Sequence, residues 1–180
     1  LTLTWNDRNL VGDGAGVSAS RGGLTPFGFD VVSEAGKLGM VVDVSHLSEA
    51  GFWDVVDVSD VPFVASHSNC HSLVPHPRNL TDGQLKAIGD AGGLVGISFN
   101  HEYLTGSDEL AHISAVSDHI LHAIDVAGEG SVGLGSDFDS FGEPGPEPVV
   151  DVGSLHMLTY ELLKRGLSGR TISGIIGGNW

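Results

Sequence analysis

The chain has 180 residues, 41% of them apolar, and a mean hydropathy of +0.12, which allows one domain with a real core and argues against disorder. Eight basic residues against 23 acidic ones give a formal charge of −15, which repels phosphate backbones and anionic bilayers and argues against nucleic-acid or membrane-surface binding. A single cysteine, Cys70, excludes an internal disulfide framework and a cysteine-rich zinc knuckle, and no apolar run reaches the about 18 residues that a membrane span needs.

Along the chain, short apolar, β-branched runs alternate with helical patterns. Residues 1–4 read as a first strand, followed by a glycine-rich loop over 12–23. A helix is predicted over 26–38, opened by the Thr25-Pro26 pair and closed at Gly39, then a strand over 40–44. The helix over 48–58 starts on Ser48 and Glu49, a strand covers 63–66, and the helix over 81–91 starts on Thr81-Asp82 and ends in Gly92-Gly93. A strand over 94–99, a helix over 111–127, a strand over 131–135, a proline-rich loop over 141–148 and a helix over 152–165 complete the pattern, the last helix ending in Lys164-Arg165-Gly166.

Strands alternating with helices imply a parallel sheet with right-handed crossovers. About five such βα units fit a large piece of a (β/α)8 TIM-type barrel better than a complete doubly wound domain. The apolar opening at Leu1 and the stop at Trp180 inside a helical pattern both look cut. The expectation is therefore one partial barrel domain over 1–180 that lacks its N-terminal strands, with cytoplasm and secretion both open as compartments. The acids are scattered, which reads as a solvated surface; adaptation to high salt fits the same composition.

Residues capable of chemistry fall just beyond the C-terminal ends of successive strands, where parallel α/β folds build their sites. The second strand runs into Ser45-His46 and the third into Ser66-His67. Neutral imidazole is the commonest protein ligand for zinc, and two histidines on adjacent strands about 4.8 Å apart can converge on one ion. The fifth strand ends in Gly135-Ser136-Asp137-Phe138-Asp139, where one carboxylate serves as general base or ligand, or else caps a helix or loop. Arg78, one of five arginines, has the donor fork that pairs with a substrate carboxylate; a surface residue is the competing reading. Cys70 and His71 are neighbours whose side chains diverge and do not read as a nucleophilic pair. His101 ends the fourth strand and is a supporting candidate, whereas His112, His119, His122 and His156 read as helix-surface or packing residues.

Six motifs in order resemble the membrane (renal) dipeptidase family: Leu1-Thr2-Leu3-Thr4 with Asn6, Leu24-Thr25-Pro26-Phe27-Gly28, Asp43-Val44-Ser45-His46-Leu47-Ser48, Ser66-His67-Ser68, Arg78-Asn79 and Gly135-Ser136-Asp137-Phe138-Asp139. The resemblance covers nearly the whole chain. It implies a (β/α)8 barrel that hydrolyses dipeptides with two zinc ions bridged by a glutamate, where the metal pair activates a water and polarises the scissile carbonyl. It further implies that His46 and His67 bind the second zinc, that Arg78 binds the substrate carboxylate and that Asp137 handles the catalytic proton. The family's His-x-Asp pair for the other zinc and its bridging glutamate are not in this sequence. Trp5 stands where the family has a substrate-contacting histidine, so the substrate contact there changes character. The expected partner is a dipeptide, with a homodimer as one arrangement of the full-length protein. Another barrel metallohydrolase acting on a lactone, cyclic amide or N-acyl amino acid is the alternative enzyme, and a non-catalytic binding protein on the same barrel is the alternative of a different class.

Overall fold

A computed structural model describes residues 1–17, 22–107, 109–139 and 144–180. The predicted loops over 12–23 and 141–148 therefore lie partly outside the described residues. Seven α-helices are assigned among the described residues: α1 (Pro26–Lys37), α2 (Glu49–Val58), α3 (Asp82–Asp90), α4 (His101–Thr105), α5 (Ile113–Ala127), α6 (His156–Lys164) and α7 (Gly169–Ser173). Three strands, β1 (Val64–Ala65), β2 (Leu94–Ile97) and β3 (Val132–Leu134), form a parallel sheet in the order β1-β2-β3.

The helices begin where their caps say they must. The Thr25 hydroxyl accepts from Gly28 N, that of Ser48 from Gly51 N and that of Thr81 from Gln84 N, so each satisfies an amide that the first helical turn leaves unpaired. At Thr81 the Gln84 side chain reciprocates, completing a capping box.

The sheet carries on beyond its named strands. Parallel bridges Thr2 to Asp43 and Asp43 to Val64 add two further segments on the β1 side, with Asp43 N donating to Leu1 O at 2.9 Å and Val44 N to Val64 O at 2.8 Å. Five parallel segments thus follow one another in chain order. The first two are bridges rather than predicted strands of four and five residues, because pairing there is confined to single positions. Thr2 is bridged on one side alone among the described residues. At the opposite flank, Asn179 Nδ2 donates to Val132 O at 2.8 Å and Trp180 Nε1 to Leu134 O at 3.3 Å.

Helix α1 packs on α2, α3 on α5 and β2, and α5 on α6. Between them lies one continuous core in which Phe52, Phe63, Leu85, Ile97, Ile120 and Leu162 are sealed from solvent. Gly96 and Gly135 lie side by side on β2 and just past β3, and a Cβ on either would overlap the Ser66 carbonyl. That close approach brings the ends of β1, β2 and β3 together at one rim.

Candidate functional site: a histidine pair above the strand ends

Asp43 is the hub beneath the rim. Its Oδ1 accepts from the amides of Ser45 (3.0 Å) and Ser66 (2.9 Å), and its Oδ2 from the hydroxyls of Thr2 (2.8 Å) and Ser66 (2.6 Å). Burial opposes ionisation of this carboxyl, but the hydrogen bonds from Ser66, Ser45 and Thr2 outweigh it and hold it below the usual carboxylate range. The same bonds tie the first three strand ends to one another.

His46 and His67 emerge directly above. The His46 backbone is left-handed at φ 70°, an uncommon state for a residue with a Cβ that costs about 1–3 kcal/mol. It is secured by Ala15 N and the Thr4 hydroxyl, which donate to its carbonyl at 2.7 and 3.2 Å. The two imidazoles stand edge to face, with centroids 4.8 Å apart and their Nε2 atoms 2.7 Å apart. Each spends Nδ1 on a neighbour: His46 on Asn6 Oδ1 at 2.7 Å and His67 on Ser66 Oγ at 2.7 Å. The two Nε2 atoms therefore face each other and are the ring nitrogens left to meet a ligand. Burial, followed by the Arg78 charge, pushes His46 down to about 3 and lowers His67 as well, so the pair is neutral and ligand-competent at neutral pH.

Arg78 is 6% exposed. Its Nη2 donates to His67 O at 3.3 Å, its guanidinium carbon lies 5.5 Å from the Tyr103 ring centre, and its Nε has no partner among the described residues. The loop that carries it is pinned by Leu80 N to Asn69 O (2.8 Å) and by Arg78 N to His76 Nδ1 (3.1 Å). A cavity of about 320 Å3 opens beside it, lined in part by Ser68, His71, His76 and Asn79. Burial lowers the Arg78 pKa, yet arginine stays charged there.

Asp137 also has a left-handed backbone, at φ 60°. It sits between two anchors, since Ser136 O accepts from Phe99 N at 3.1 Å and Phe138 packs edge-on against Phe99 at 5.3 Å. Its charge acts on His67, Arg78 and Tyr103, which places it facing the same rim. Trp5 lies 68% exposed at the edge, its ring centre 6.1 Å from that of His46.

The other candidates go elsewhere. His101 is buried and bonds Pro144 O at 2.8 Å and Ala111 N at 3.0 Å, so it braces a loop instead of facing the histidine pair. His119 is a core residue, accepting from Cys70 N at 3.0 Å and donating to Leu104 O at 3.2 Å. His112 caps α5 and His122 pairs with Asp82 at 2.7 Å. Burial pushes the Cys70 thiol up to about 12, which removes it as a nucleophile. Asn6, Asp43, Ser66 and Tyr103 join the site without having been assigned a role from sequence.

Among the described residues no three histidine, cysteine or carboxylate side chains gather into a full metal site. The donor set fits zinc as part of one: two neutral imidazoles, where a complete site takes three or four ligands.

The sequence model of the membrane dipeptidases, peptidase family M19, matches residues 1–180. The chain belongs to that family. Among curated relatives it is 38% identical over 184 residues to the uncharacterized protein in the pqqA 5' region of Klebsiella pneumoniae, covering 98% of this chain and 67% of that protein. It is 39% identical over 182 residues to dipeptidase tcpJ of Claviceps purpurea, covering 99% of this chain and 42% of that one. A metallo peptidase from Rhodobacter sphaeroides, solved with a phosphinate mimic of the dipeptide L-Ala-D-Ala, superposes with a TM-score of 0.93 at 36% identity, covering 100% of this chain and 53% of that one. An amidohydrolase from Pseudomonas aeruginosa superposes with a TM-score of 0.88 at 29% identity, over 99% of this chain and 61% of that one. The chain thus spans between about two fifths and two thirds of the length of these curated relatives.

Proposed function

We propose that this chain is the metal-binding and substrate-gripping part of a zinc-dependent dipeptidase, built as a section of a (β/α)8 barrel with about five βα units. The observation that carries the reading is the meeting of the His46 and His67 Nε2 atoms, 2.7 Å apart above two adjacent parallel strand ends, beside a buried arginine Nε that has no partner among the described residues. Relatives named as dipeptidases support the substrate class.

In this reading His46 and His67 hold one zinc, and the remaining ligands and a bridging glutamate come from outside this sequence. Bound zinc supplies a Lewis acid that polarises a carbonyl and lowers the pKa of water. Arg78 receives the C-terminal carboxylate of the dipeptide, and its Nε and Nη2 orient the peptide relative to the histidine pair. Trp5 closes over the rim on the His46 side. Asp137 takes the proton of the attacking water on a carboxylate oxygen and delivers it to the nitrogen of the leaving amine as the C–N bond breaks. A homodimer of the full-length protein belongs to the same proposal.

The likeness to an amidohydrolase at 29% identity favours one second reading, a barrel hydrolase acting on a cyclic amide, lactone or N-acyl amino acid. Expression of the complete open reading frame that contains this chain, with zinc stoichiometry and hydrolysis of simple dipeptides against lactones and cyclic amides, separates the two. Two zinc ions and chelator-sensitive dipeptide cleavage are expected. Cleavage of the ring substrates alone would transfer the site to the second reading, and no hydrolysis at all would make the chain part of a binding protein.

A further inference from the structure

We propose that Asp43 is a positioning residue that sets the tautomer of His67 through the hydroxyl of Ser66. The inference rests on the metal reading above for its functional meaning, but its geometry stands apart from it.

An ionised carboxylate accepts hydrogen bonds and has none to give. The contact between Ser66 Oγ and Asp43 Oδ2 at 2.6 Å therefore consumes the single hydroxyl proton of Ser66. That oxygen has only lone pairs left for His67 Nδ1 at 2.7 Å, so Nδ1 must carry the ring proton and Nε2 must be bare. The relay is short, lies on the backbone ladder that joins the strand ends, and is clamped at its base because Asp43 Oδ1 is held by the amides of Ser45 and Ser66. His46 lacks such a relay: a neutral amide, Asn6 Oδ1, fixes its Nδ1 proton. The two ligands are thus oriented by unequal means, one by a charge acting through a hydroxyl and the other by an amide.

This asymmetry makes Asp43→Asn a sharper test than a deletion. Its Oδ1 keeps the two backbone amides, which forces Nδ2 into the position of Oδ2. There Nδ2 donates to Ser66 Oγ, the serine proton turns to His67 Nδ1, and the imidazole proton moves to Nε2, capping the lone pair that a metal needs. The change is nearly isosteric, so the fold is retained. Ser66→Ala leaves Nδ1 without a partner and gives a mixture of tautomers. Thr2→Val removes the other hydroxyl on Asp43 Oδ2, at 2.8 Å, without touching the relay, and so reports any purely structural role of Asp43.

The experiment is nitrogen-15 NMR of the His67 ring in the metal-stripped complete protein, paired with zinc affinity measured by chelator competition for the same variants. Wild type and Thr2→Val should show a protonated Nδ1, Asp43→Asn a protonated Nε2, and Ser66→Ala a mixture. Zinc affinity should fall about 10–100-fold in Asp43→Asn and less in Ser66→Ala, with Thr2→Val near wild type. A protonated Nδ1 persisting in Asp43→Asn would overturn the relay, as would equal losses of affinity in Asp43→Asn and Thr2→Val. Tautomer inversion in a protein that binds no zinc would leave the relay standing and overturn the metal reading instead.

Discussion

Arg78 is a buried cation in a chain whose formal charge is −15, and its surroundings hold it in place without saturating it. His67 O takes one donor and the Tyr103 ring lies 5.5 Å from the guanidinium carbon, while Nε has no partner among the described residues. Arg78→Lys replaces a planar fork with a point charge, so KM for a dipeptide should rise about tenfold or more, while a dipeptide amide lacking the carboxylate should show little change. Equal losses on both substrates would remove Arg78 from carboxylate binding. Cys70→Ala provides the opposite case: with its thiol buried and pushed up to about 12, kcat/KM should stay within about twofold, at a stability loss of about 1 kcal/mol in a thermal melt. His46, His67, Arg78 and Asp137 could be picked out in the sequence because each follows a predicted strand or its loop. Asp43, Ser66 and Asn6 could not, because their roles arise from hydrogen bonds such as those spanning 23 and 40 residues, and a serine or asparagine beside a strand carries no signature of what it will meet.

The helices were the most legible elements. Thr25, Ser48 and Thr81 fall at the N-caps their sequence patterns named, and the observed starts differ from the predicted ones by the cap residue or less. Helix α4, five residues long, escaped because one turn offers no periodicity to detect, whereas α7 and the turn that follows it fall in the C-terminal helical pattern. The predicted helix over 152–165 is a 3-10 turn, Val152–Ser154, followed by α6. Three of the five predicted strands are present, each shorter than its apolar run, and the other two, over 1–4 and 40–44, are reduced to single bridges at Thr2 and Asp43. Thr81→Ala should cost about 1 kcal/mol and lower the melting temperature, since it removes the hydroxyl half of the α3 capping box, which accepts from Gln84 N, and leaves only the backbone amide of residue 81 donating to Gln84 Oε1. Hydrolysis measured well below the melt should be unaffected, as α3 contributes none of the rim residues His46, His67 or Asp137; a large loss of kcat would show that the loop carrying Arg78 depends on this cap.

At the scale of the molecule, two buried groups besides the His46–His67 pair give stability a dependence on pH of the same sign. His119 is pushed down, mainly by burial, to about 4 from an ordinary 6.5, so below 6.5 the unfolded chain binds protons that the folded chain refuses. Its contribution is intact above pH 6.5 and is lost as pH falls toward 4, by about 3 kcal/mol at full extent. Asp43, held below the ordinary carboxylate range, contributes above about 3.8 and is lost as pH falls further through its folded value. Melting temperature should therefore drop steeply from pH 6.5 downward, and His119→Gln should flatten the upper part of that slope; an unchanged slope would place the acid sensitivity elsewhere. Net charge was fully legible, and so was the parallel order of the segments. The sheet flanks were not, because they depend on which groups meet residues far away in the chain.

Those flanks differ. On the β3 side the outward carbonyls of Val132 and Leu134 are already occupied by the side chains of Asn179 and Trp180, while Thr2 on the other side is bridged once. A strand arriving at the β3 border must first displace two side-chain donors, whereas among the described residues no such exchange is called for beside Thr2. The two borders therefore set unequal terms for any segment that pairs there.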